Sequence, residues 1–289
     1  MIDHIKSEGP NSDEIDYWNG PQGQKWAKYN RLTDLMYHPL GDMAAERAAL
    51  KPGERVLDVG CGCGATTIKL ANLLAPGGEI TALDISTLML AIAREKTKSA
   101  AVPIKIINAD AETCELDPAS FDVVYSQFGL MFFANPETAF ANFHRALKPN
   151  GRIAFVCWRG PELNPWFVAP FEAVRHYMPE MEAPKPDAPV TPFSFASSDK
   201  VEKMLGDAGF VDAKFESFET TIRMGDGDLE SCVDYVAAFN GPVAGILRNA
   251  DEATTPAIIE TLRVAMEPYH NGKYLELAAS PWIVSARRA

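Results

Sequence analysis

The sequence predicts a doubly wound α/β fold, a mainly parallel sheet with helices on both faces, and three observations carry that expectation. Residues 55–74 read as a strand, a loop and a helix. Val56, Leu57 and Val59 form an apolar run broken only by Asp58, Gly60, Gly62 and Gly64 alternate through the loop, and Ile68, Ala71 and Leu74 share a helical spacing. Strand and helix signals then alternate up to Trp158, and such alternation makes successive strands parallel with crossover helices on the faces. Lastly, 289 residues are enough for one large α/β domain with additions.

The elements follow in order. Residues 1–14 are polar, contain Gly9-Pro10 and are expected to be loose. From Asp16 an irregular helical pattern runs through Trp18, Trp26, Leu32, Met36, Leu40 and Ala44, and the two tryptophans share a face if Gly20-Pro21 leaves the helix unbroken. A second strand, Glu79 to Asp84, precedes a helix capped by Ser86 or Thr87. Ile104 to Ala109 is the third strand and Phe121 to Tyr125 the fourth; a helix with proline in its first turn starts at Asn135-Pro136, and Arg152 to Trp158 is the fifth strand. Between Pro161 and Pro192 eight prolines are interleaved with aromatics, too greasy for a linker and too proline-rich for one helix, which reads as an irregular cap over something apolar. Beyond it a helix over 199–208 has Asp199 and Glu202 at capping-box spacing, 213–224 alternates like one strand, 228–268 is helical with breaks at Gly241-Pro242 and Pro256, and Pro281 to Ser285 is a last strand. The resulting division is an N-terminal helical extension (1–50), a core (51–158), a cap (159–198) and a C-terminal part that rejoins the core sheet and carries a helical insertion (199–289).

A glycine loop after a strand brings backbone N–H groups against a ligand, and a carboxylate about 20 residues further on, here Asp84, is placed to hold the hydroxyls of an adenosine ribose. Nicotinamide cofactors and S-adenosylmethionine share that ribose. Asp58 in the first strand and Asp110 after the third separate the two, since a pyrophosphate needs neither. The ordered segments V-L-D-V-G-C-G-C-G, L-D-I-S, N-A-D-A-E, F-D-V-V-Y-S-Q-F and L-K-P-N-G-R-I resemble the motifs of class I S-adenosylmethionine-dependent methyltransferases, most closely the ubiquinone/menaquinone-biosynthesis-like branch, over residues 50–160. The resemblance implies a Rossmann-like sheet of seven strands, whose last strand in chain order lies antiparallel between the fifth and sixth. It implies S-adenosylmethionine as cofactor and S-adenosylhomocysteine as product. Gly60, Gly62 and Gly64, with Cys61, would pack on the methionine part and Asp58 would orient its amino group. Asp84, with Ile85, would hold the ribose, Asp110 the adenine amine with Ala111 beside the ring, and Ser126 and Gln127 would lie at the sulfonium end. The acceptor belongs above the strand ends, with Trp18, Trp26, Met131, Trp158 and Trp166 as its candidate contacts.

Composition narrows the acceptor. A net charge of −12 with scattered Lys and Arg repels a phosphate backbone, so nucleic acid is excluded as a partner, and the Asn-Pro-Pro-Tyr-like signature of amino-methylating nucleic-acid enzymes is replaced by Ser126-Gln127-Phe128-Gly129. No run reaches the ~20 apolar residues of a membrane span, and the first eight residues lack the order of a signal peptide, so a cytoplasmic location is expected. Five cysteines, an odd number, suit reduced thiols, and Cys61 with Cys63 lacks the second pair a tetrahedral metal site needs. His4, His38, His144 and His270 occupy start, helix and turn positions. His176, in the cap, is better explained by a surface role than by catalysis. No catalytic residue is assigned, because in-line methyl transfer rests on positioning and needs a base only where the acceptor must lose a proton. The expected function is methylation of a small apolar or aromatic molecule. The alternatives are an NAD-dependent oxidoreductase and a methyltransferase-fold protein that binds the cofactor without transferring methyl.

Overall fold

Three helices precede the sheet in this computed structural model, which describes residues 5–181, 183 and 190–289. They are α1 (Ser12–Asn19), α2 (Pro21–Lys28) and α3 (Asn30–Ala48). The core alternates as its apolar pattern requires: β1 (Arg55–Val59), α4 (Ala65–Leu74), β2 (Glu79–Asp84), α5 (Thr87–Lys96), β3 (Ile104–Asn108), β4 (Phe121–Gln127), α6 (Pro136–Ala146) and β5 (Leu147–Trp158). The remainder consists of α7 (Pro165–Val174), α8 (Ser198–Asp207), β6 (Phe210–Ser217), β7 (Thr220–Met224), α9 (Leu229–Phe239), α10 (Gly241–Asn249), α11 (Thr255–Met266), β8 (Leu275–Ala279) and β9 (Pro281–Arg288).

Seven strands form one sheet in the order β3-β2-β1-β4-β5-β9-β6. The first five are parallel, and β9 runs antiparallel to both β5 and β6, as the expected topology requires. Strand order reverses between β1 and β4, so the crevice for a ligand opens above their carboxyl ends. The strands on either side of it are buried on both faces: Val56, Leu57, Val123 and Val124 are fully enclosed. No helix among the described residues is long and apolar enough to cross a membrane.

Four local expectations are corrected. The stretch 213–224 is not one strand, because the chain breaks after Ser217 and β7 leaves to pair with β8 in a separate two-stranded sheet. That departure buries Ile222 and Met224 beside α3, whereas β6 stays on an exposed sheet edge. The cap contains a regular helix despite its prolines: Pro165 sits in the first turn of α7, where its missing N–H costs nothing, and only Pro170 is internal. Pro184, Pro186 and Pro189 of that segment lie outside the described residues. Helix α8 is capped by Ser197, whose hydroxyl accepts from the Lys200 N–H at 3.3 Å, rather than by Asp199. The start of the chain is not loose throughout: Asn11 is only 3% exposed and Ile15 is buried, whereas His4 lies outside the described residues.

Candidate active site

The glycine loop is pinned to its neighbours before any ligand enters. The Gly60 and Cys61 N–H groups donate to the Leu83 carbonyl at 2.8 and 3.2 Å, tying the loop to the end of β2. Gly60 has φ +70°, and a side-chain carbon there would stand 2.9 Å from the Gly129 Cα, so the loops after β1 and β4 meet backbone to backbone. Gly62, at φ +54°, borders the cavity, and a side-chain carbon there would meet only the Met89 Sδ, at 3.9 Å.

Asp84 projects from the end of β2. Its two oxygens accept from the Gly62 N–H at 2.8 Å and the Ser86 N–H at 2.7 Å, yet burial pushes the carboxyl up to about 6 against those hydrogen bonds. Asp58, 1% exposed, is pushed up to about 7 by burial, partly offset by the Thr67 hydroxyl donating at 2.6 Å and reinforced by the charge of Asp84. Asp110 lies on the other side of Asp84. The Asn11 amide nitrogen is 3.0 Å from each of its oxygens and 3.0 Å from Glu112 Oε2, while the Asn11 carbonyl accepts from the Ala134 N–H at 2.7 Å. A polar cluster of 11, 110 and 112 is thereby satisfied inside the protein.

These groups border a cavity of about 500 Å³ over the strand ends. Of the residues expected at the cofactor, Gly60, Gly62, Asp84, Ile85, Asp110, Ala111 and Gln127 line it. Asp58, Cys61, Gly64 and Ser126 stand behind the wall. Ser126 bridges the two loops there, donating to the Val59 carbonyl at 2.7 Å and accepting from the Gly129 N–H at 3.2 Å. All five expected acceptor contacts, Trp18, Trp26, Met131, Trp158 and Trp166, line the same cavity. Trp18 and Trp26 do not share a helix, since Gly20-Pro21 separates α1 from α2, but the turn brings their rings to 5.5 Å edge to face. Trp158 stacks on Phe128 at 4.3 Å and meets Trp166 at 4.8 Å. Phe128 itself has φ +58°, an uncommon conformation for an aromatic residue, held where the β4 loop forms the floor of the cavity. His176 is exposed and does not line the cavity.

Several lining residues carried no sequence signal: Asn11 and Glu14 in the segment expected to be loose, Tyr37 within a helical pattern, and Phe239 to Pro242 at the α9–α10 junction. Among the described lining residues the charged side chains are Glu14, Asp84 and Asp110, all acidic, with no Lys, Arg or His. That donor and acceptor set fits a cofactor with ribose hydroxyls, an amine and a sulfonium, and offers no cationic side chain to a pyrophosphate.

Comparison with known proteins agrees with the geometry. Residues 57–155 match the family described as a methyltransferase domain. A demethylmenaquinone methyltransferase of Staphylococcus aureus is 28% identical over 202 residues, covering 66% of this chain and 83% of that protein. In fold, the chain resembles a putative methyltransferase from Bacillus halodurans (TM-score 0.53, 19% identity, 86% of this chain and 98% of that one) and the [4+2]-cyclase SpnF (TM-score 0.51, 20% identity, 93% and 95%). The methyltransferase domain lies over β1 to β5, the part of the sheet that carries the glycine loop and Asp84. Residues 57–155 are therefore to be understood as a methyltransferase domain, and the chain as an S-adenosylmethionine-dependent methyltransferase with S-adenosylmethionine as cofactor.

Proposed function

We propose that the enzyme methylates a small apolar or aromatic molecule held against Trp18, Trp26, Met131, Trp158 and Trp166. The observation that carries this reading is the continuity of the cavity, which runs from the Asp84 and Asp110 carboxylates to an aromatic wall without a boundary between them. When bound, the cofactor supplies a methyl carbon on sulfur for displacement in line. Asp84 takes the ribose hydroxyls, Asp110 the adenine amine, and Gly62 leaves room for the methionine part beside Gln127. The aromatic wall orients the acceptor and keeps water from the methyl carbon, and such positioning supplies ~7 to 11 kcal/mol of barrier reduction. The quinone ring named for the Staphylococcus aureus relative is the kind of flat, apolar acceptor this wall suits. A cytoplasmic location fits the five free cysteines.

The test is a screen of phenols, quinols, amines and thiols for S-adenosylhomocysteine release, followed by Trp166→Ala and Met131→Ala. The expected result is turnover of a flat aromatic acceptor. Both variants should then raise its KM or slow turnover while cofactor affinity stays within a factor of about three. Turnover confined to charged aliphatic amines, or equal loss of cofactor binding in both variants, overturns the assignment.

A further inference from the structure

The acceptor end of the cavity is almost wholly apolar, so its few polar atoms are the ones able to select. Tyr37 lies on α3, 7% exposed, lines the cavity, and its hydroxyl finds no hydrogen-bond partner among the described residues. Its ring stacks on Trp26 at 5.7 Å with 10° between the planes and packs on Phe128 at 5.2 Å. The Trp26 indole N–H is likewise buried without a partner. The Trp26 N–H has lost its water without gaining an acceptor, whereas the Tyr37 hydroxyl, which the described residues leave unpaired, belongs to a side chain that borders the cavity. Native interiors leave few polar groups unpaired, and a hydroxyl left unpaired beside a binding cavity is best explained by an occupant that brings the missing oxygen.

We infer that Tyr37 is a specificity-determining residue that donates a hydrogen bond to an oxygen of the acceptor, and that the acceptor is not an anion. The inference rests on the proposed methylation of an aromatic molecule in this cavity. The lining disfavours an anion, since among the described lining residues no cation is present to receive a carboxylate or phosphate and the three charged side chains are acidic. Tyr37 acts as a donor rather than a base: burial raises its phenol further from neutrality, and no charged partner opposes that. Proton balance is kept without a base from the wall. The C–S bond breaks with its electron pair retained on sulfur, the acceptor's pair forms the new bond to carbon, and the acceptor's proton leaves to water.

Isothermal titration of the S-adenosylhomocysteine-saturated enzyme with three probes of one shape tests this: 1-naphthol, naphthalene and 1-naphthoate. Wild type should bind 1-naphthol more tightly than naphthalene and 1-naphthoate least. Tyr37→Phe should weaken 1-naphthol by about tenfold, the worth of one hydrogen bond, and leave naphthalene and S-adenosylhomocysteine unchanged. Unaltered 1-naphthol affinity in Tyr37→Phe, or 1-naphthoate binding as tightly as 1-naphthol, overturns the inference and leaves the aromatic acceptor standing. Wild type that binds S-adenosylhomocysteine but none of the three probes overturns the aromatic acceptor as well.

Discussion

Asp84 accepts two backbone hydrogen bonds and is still hard to ionise, which makes it sensitive both to its ligand and to pH. Asp84→Ala should weaken S-adenosylmethionine and S-adenosylhomocysteine alike, because the ribose is common to both. A charge-assisted hydrogen bond is worth ~1.5 to 3 kcal/mol, so titration should show both affinities falling about ten- to hundredfold. Ribose hydroxyls favour the ionised carboxylate, so affinity should also decline as pH falls through about 6, with proton release on binding below that point. Stability of the free protein moves the other way. Asp84 and Asp58 have folded-state values raised to about 6 and about 7, so the unfolded chain gives up these protons first, and their contribution to stability falls as pH rises from ~4 through 6 to 7. Asp58→Asn should remove part of that slope in melting temperature measured against pH. The two loop glycines should separate folding from binding. Gly60→Ala forces a carbon against the Gly129 backbone and should lower the melting temperature, whereas Gly62→Val, strained by its positive φ but meeting only the Met89 Sδ at 3.9 Å, should leave a folded protein that no longer retains S-adenosylhomocysteine on dialysis.

At the scale of elements, the start of α1 is tied to the core through Asn11, and its end through Asn19. Asn11 spans two buried carboxylates and the Ala134 amide, so Asn11→Ala leaves Asp110 and Glu112 facing each other without the amide between them. The expected cost is ~1 to 3 kcal/mol in denaturant unfolding, with faster amide exchange over residues 11–19 than over β1. This contact spans 99 residues of sequence, and nothing near Asn11 announces it, which is why a polar start with Gly9-Pro10 reads as loose. The strands of the parallel sheet were legible for the opposite reason: each carries its own apolar run and ends in its own motif, so Asp84 and Asp110 could be placed from neighbouring residues alone. Trp18 and Trp26 were legible as a pair, but on the wrong geometry, because a turn at Gly20-Pro21 rather than a continuous helix joins them. The split of β6 from β7 was hidden because alternation in sequence reports a pleat and not which sheet it belongs to. Tyr37 was invisible since a buried aromatic on α3 has the same spacing whether or not its hydroxyl is satisfied.

For the whole molecule, the last strand in the chain stands inside the sheet, with β5 and β6 on either side and Ile283 and Val284 buried between the layers. Deleting 281–289 strips hydrogen-bond partners from two strands at once. The shortened chain should show no cooperative melting transition, whereas the full chain should unfold in one. The sheet so completed carries a cavity whose charged lining, among the described residues, is acidic. A sulfonium entering that cavity is a cation among carboxylates. Once its methyl group has gone, what remains on sulfur is a neutral thioether that the same carboxylates no longer attract. Each turnover thus discards part of the electrostatic hold on the spent cofactor, which keeps only the contacts that do not depend on the sulfonium charge.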